Sequence, residues 1–159
     1  MSLMQLSDVL WRERNLLELL LFKLEEEQMI LTSGRSRWLG HATREVESVL
    51  DEIRGAELGR AVEADEVARL LGLEPGASLA ELADAAPEPW DELLRAHRDA
   101  FATLTMEISQ LADGNRELLA MSHRATQETL LSMQDAHTYD GSGQTAPSRA
   151  AARLVDRSF

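Results

Sequence analysis

Four histidines, at 41, 97, 123 and 137, are the only imidazoles in the chain, and a catalytic or metal site would need two of them converging with carboxylates. His41 and Glu45 stand four residues apart, on one face of a helix, which is metal-ligand spacing in principle. That spacing also arises by chance on charged helices, and the Glu-x-x-His pair of bundle di-metal sites is absent. His97 falls on an apolar row and reads as a hydrogen-bonded core residue. No Gly-rich phosphate loop, nucleophile elbow or Ser/His/Asp arrangement is present, so the sequence argues for a non-enzyme without cofactor or metal. Glu25-Glu26-Glu27 reads as a solvated helix face.

Two features look like recognition elements. Val67 to Leu73, followed by Ser78 to Leu82, mimics a helix-turn-helix, but the surrounding segment is acidic and would repel phosphate. The whole chain has 28 acidic and 16 basic side chains in 159 residues, a formal charge of −12, which opposes binding to nucleic acid and to anionic membranes. The second feature is a change along the C-terminal helix. One row reads Leu94, Phe101, Ile108 before Gly114 and Asn115, Ser122, Thr129 after it, while Leu118, Leu119, Met121, Ala125, Leu130, Leu131 and Met133 keep the surface mixed. A self-contained core would not turn polar in this way, and Met and Leu side chains adapt to another amphipathic helix.

The elements that position these residues follow from periodicity. Leucines at 3, 10, 17, 24 and 31 repeat every seven residues and predict an amphipathic helix over 3–31, closed at Gly34. Trp38, Leu39, Ala42, Val46, Val49, Leu50 and Ile53 predict a second, antiparallel helix over 35–58, its end loosened by Gly55 and Gly59. The capping-box spacing of Ser78 and Glu81 predicts a short helix over 79–85 inside a long connection from 60 to 89. Trp90, His97, Leu104, Leu111, Leu118 and Ala125 predict a long helix over 90–136, with Asp113-Gly114-Asn115 as a candidate weak joint.

The fold expected is therefore all-α: an elongated antiparallel helical bundle or coiled coil over 1–137, with one long C-terminal helix. A slightly basic tail over 138–159, poor in apolar residues, is expected to be disordered. The chain's first apolar run, Leu16 to Phe22, is too short to span a bilayer, no secretory signal is expected, and the chain holds no cysteine, so a cytoplasmic location is expected.

Three strings make the chain similar to the FlgN family of flagellar type III export chaperones: Leu31 to Gly34 as Leu-x-Ser-Gly, Asn115-x-x-Leu118-Leu119-x-x-Ser122, and Thr138-Tyr139-Asp140-x-x-Gly143. The resemblance implies a cytoplasmic helical protein that holds the amphipathic C-terminal segment of hook-filament junction (hook-associated) proteins before export, with the flagellar export apparatus as a further partner. It places client binding on Asn115, Leu118, Leu119, Ser122, Ala125, Leu130 and Met133, with Tyr139 and Asp140 opening the tail. The competing reading is a structural homodimeric coiled coil without a client, its long helix buried between two copies.

Overall fold

A computed structural model describes residues 2–139. It is all-α, with four α-helices and no strand among the described residues: α1 (Ser2–Ser33), α2 (Leu39–Leu70), α3 (Leu79–Ala85) and α4 (Trp90–Tyr139). A single 3-10 turn, Ser36–Trp38, joins α1 to α2. Gly34, at φ +71°, supplies the left-handed residue that ends α1.

α1 is the central helix. It runs antiparallel to α2, with Glu27 level with Thr43, Lys23 with Glu45 and Glu13 with Arg60. It runs parallel to α4, with Arg14 level with His97 and Glu27 with Asn115. Side chains alternate along this axis in layers. At the base, Leu6, Leu10, Val67, Ala68, Leu82, Ala83 and Leu94 form an apolar core that includes α3. Above it lies a polar belt in which Glu13 meets Arg60 at 3.2 Å and His97 meets Arg14 at 3.3 Å. A second apolar core follows, from Leu20, Leu24, Val46, Val49, Ile53, Ile108 and Ala112. Glu27, Thr43 and Asn115 close the top.

α2 differs from the sequence expectation by a full three turns, running to Leu70 rather than ending near position 58. Gly55 and Gly59 sit inside it, each at a cost of about 1 kcal/mol relative to Ala. Burial of Val67 and Ala68 at its far end offsets that cost, since apolar burial stabilises by about 1.5 to 3 kcal/mol for a side chain such as Val. The true stop is Gly72 at φ +76°. There the Leu73 N–H donates to the Ala68 carbonyl at 2.7 Å and the Gly72 N–H to the Arg69 carbonyl at 3.2 Å, the paired bonds of a Schellman motif. The helix-turn-helix look-alike is thus the end of α2, a capped turn and α3, with its apolar residues turned into the basal core. Ser78 and Glu81 form the reciprocal capping box at 3.1 and 3.2 Å.

α4 is the longest element, 50 residues or about 75 Å at 1.5 Å per residue. It passes through Gly114 without interruption, and its last two residues, Thr138 and Tyr139, lie where the tail was expected to start. The rest of the expected tail, including Asp140, is outside the described residues.

Candidate functional site

The register that levels Glu27 with Asn115 brings the end of α1, at Ser33, to about position 121 of α4. Beyond that point α4 has no neighbour from the hairpin. Exposure follows the geometry: Ile108, Ala112 and Asn115 are buried, Leu118, Leu119 and Ala120 are half-buried, and every residue from Arg124 to Met133 is exposed.

The face that emerges is the continuation of the core face. At 3.6 residues per turn, Leu119, Thr126, Leu130 and Met133 fall on the side of α4 that carries Leu94, His97, Ile108, Ala112 and Asn115 lower down. Ser122, Ala125, Thr126, Thr129 and Leu130 line a shallow open groove along it. The polarity of these residues is lower than their names suggest. Thr126 Oγ1 donates to the Ser122 carbonyl and Thr129 Oγ1 to the Ala125 carbonyl, both at 2.9 Å. Each hydroxyl is spent on its own helix, so the threonines can offer their methyl groups. Leu130 is 45% exposed and Met133 63%, whereas Met121 and Leu131, also exposed, point to the opposite side of the helix.

Asn115 stands apart from the other residues singled out in the sequence. It is 1% exposed, and its Nδ2 donates to the Leu24 carbonyl at 2.8 Å and to Glu27 Oε1 at 3.1 Å. It fastens α4 to α1 at the last covered turn, below the exposed face. Leu118 and Leu119 straddle the boundary, whereas Ser122, Ala125, Leu130 and Met133 lie on the uncovered part. Tyr139 ends α4, and its side chain, like all of Asp140, is outside the described residues.

Two buried acids escaped the sequence reading. Glu27, taken with its neighbours as solvated, is 5% exposed and accepts from Asn115 and from Thr43 Oγ1 at 3.2 Å. Burial pushes its carboxyl above the usual range, against the opposing pull of those two donors. Glu13, 3% exposed, is raised by burial too, with Arg60 pulling it down and Glu57 adding to the rise. A signal was available: positions 6, 13, 20 and 27 form a seven-residue row in which both leucines are core. His97 is buried, with Trp11 edge-on at 5.0 Å and Arg14 at its Nδ1. Arginine only donates, so Nδ1 accepts and the proton of the neutral ring sits on Nε2. Burial and then the Arg14 charge hold the imidazole below its ordinary value.

His41 and Glu45 do not form a metal centre with a third ligand. Glu45 is engaged by Lys23 at 2.7 Å, His41 Nε2 is 3.9 Å from it, and among the described residues no group of three His, Asp or Glu side chains converges.

Comparison with known families matches residues 1–147 to the family described as FlgN protein. The chain belongs to the FlgN family. The match covers all four helices and the uncovered part of α4. FlgN is a family of flagellar export chaperones rather than of enzymes, and membership supports that role in general terms. Comparison with curated proteins and with solved structures finds no match. Among the described residues no helix is long and apolar enough to cross a membrane.

Proposed function

We propose that this FlgN-family chain is a cytoplasmic chaperone that holds the amphipathic C-terminal segment of a hook-filament junction protein on α4, between Leu118 and Met133, until export. The observation that carries this reading is the continuation of the core face of α4 beyond the end of α1. Inside the bundle that face packs against another helix, and past position 121 its geometry is the same but its partner is missing. An amphipathic helix from a client would restore the packing, with Leu119, Leu130 and Met133 as anchors and Ala125, Thr126 and Thr129 giving close approach.

The mechanism follows from the size and chemistry of the platform. Covering the client's apolar face prevents its self-association before delivery to the export apparatus. Met133 adapts to more than one client side-chain pattern. A single projecting helix offers limited area, so the grip stays reversible and suits hand-over. Tyr139 and Asp140 extend the contact from the end of α4. The acidic body keeps the complex soluble.

Calorimetric titration with a synthetic C-terminal peptide of a junction protein from the same genome tests the reading. Leu130→Asp combined with Met133→Asp changes only exposed positions, so folding should persist while affinity falls by about tenfold or more. Unchanged affinity in that variant, with helicity intact, would remove the distal face from the binding site.

A further inference from the structure

The turn between α1 and α2 borders the space beside the distal half of α4. α1 packs on the core face of α4 and stops at Ser33, level with about position 121. A helix that covers the face from there to Met133 must therefore lie in line with α1, with one of its ends against the turn. Gly34, Arg35, Ser36, Arg37 and Trp38 line a shallow open hollow at that place. Trp38 is 47% exposed, and the Arg37 guanidinium lies 4.7 Å over its ring.

The charge of this turn is the reverse of the body's. From Gln28 to Arg44 the chain has no acidic residue, the longest such stretch in a sequence of net charge −12, and it holds Arg35, Arg37 and Arg44. Lower on the body arginines are matched by carboxylates: Arg54 by Asp51, Arg69 by Glu66, Arg95 by Asp84 and Asp91. Arg35 and Arg37, both exposed, form no ion pair among the described residues. Neighbouring acids are engaged or turned away. Glu27 is buried, Glu45 is held by Lys23 at 2.7 Å, and Glu117 and Glu128 fall on the side of α4 opposite its bare face. The last carbonyls of α1 are occupied as well, since Thr32 Oγ1 donates to Gln28 and Ser33 Oγ to Ile30, both at 3.0 Å.

Resting on the reading that a client's C-terminal helix covers the distal face, we infer that the Arg35 to Arg37 turn receives the carboxylate end of that helix, which therefore runs antiparallel to α4. A helix carries about half a negative charge at its C-terminus, and a free terminal carboxylate adds a full one. Arginine guanidinium groups match a carboxylate in charge and in fork geometry. The opposite polarity would set the positive end of the client helix against two unpaired arginines. This chain's own tail is a poor occupant, because residues 139–159 hold three Arg against two Asp. A nucleic acid would meet the repulsion of the acidic body. From position 121 to Met133 the face is about 18 Å long, room for about three helical turns, so polarity decides which client side chains meet Leu119 and which meet Leu130 and Met133.

The test is calorimetric titration of the full chain, at low ionic strength, with the junction-protein C-terminal peptide as its free acid and as its C-terminal amide. The free acid should bind about fivefold more tightly. That gap should close in the Arg35→Gln, Arg37→Gln variant, whose exposed positions leave folding intact. A nitroxide in the last turn of the peptide should broaden the indole N–H resonance of Trp38, assigned with Trp38→Phe, and a nitroxide in its first turn should not. Equal affinity of the two peptide forms, a gap that survives in the arginine variant, or broadening by the first-turn label instead would overturn the inference. Each of these leaves the distal docking site standing if Leu130→Asp with Met133→Asp still weakens binding. Unchanged affinity in that distal variant removes the docking site, and this inference with it.

Discussion

Asn115 illustrates how a polar residue can mark a boundary. It sits on the row of Leu94, Phe101 and Ile108, so register alone puts it inside, although its amide looked like the start of a polar surface. Inside, it satisfies Glu27 and takes the second lone pair of the Leu24 carbonyl. Asn115→Ala removes one of the two donors of the buried Glu27 carboxyl, leaving Thr43, and should cost about 1 to 3 kcal/mol in urea unfolding. The buried acids also set the pH response. Folded Glu13 and Glu27 hold their protons to higher pH than the unfolded chain does. Their contribution is therefore full below the ordinary value of 4.5 and is lost as pH rises through the raised folded values. His97 acts in the opposite sense, its contribution being present above 6.5 and lost as pH falls through its depressed folded value. In a series of urea midpoints, Glu27→Gln should flatten the decline on the alkaline side of 4.5 and leave the acid-side loss from His97 in place.

At the scale of elements, the heptads of α1 and α4, the glycine that ends α1 and the Ser78 capping box were all legible, because each rests on local spacing. The second half of α2 was not. Two glycines looked like a stop, but a helical glycine costs only about 1 kcal/mol, and the long-range burial of Val67 and Ala68 that outweighs it is invisible in a local window. The glycines can be separated by experiment. A Cβ at Gly114 would meet Gln28 Nε2 at an ordinary 3.9 Å, and one at Gly55 or Gly59 would meet nothing within 4 Å. Each Gly→Ala change there should stabilise by about 0.5 to 1 kcal/mol in thermal or urea unfolding. Gly72→Ala should destabilise, because φ +76° is a strained setting for any residue with a Cβ.

For the whole molecule, the layered bundle explains why one helix outruns the others. Polar ties at Glu13, Arg14, His97 and Arg60, and again at Glu27, Thr43 and Asn115, fix the register of α1 against both neighbours. With register fixed, the excess of α4 emerges at one end with its core face bare. The candidate site was legible as a stretch of sequence, since the mix of Leu, Met and small residues after Gly114 stood out. Its true beginning and its chemistry were not. The first depends on where α1 ends in space, and the second on the Thr126 and Thr129 hydroxyls turning back to their own helix. Hydrogen exchange of the full chain, with and without a junction-protein C-terminal peptide, tests the central claim most directly. The account expects new amide protection concentrated between positions 118 and 139, in amides that exchange fast in the free chain. Protection appearing on α1 and α2 while the distal part of α4 exchanges as before would contradict it.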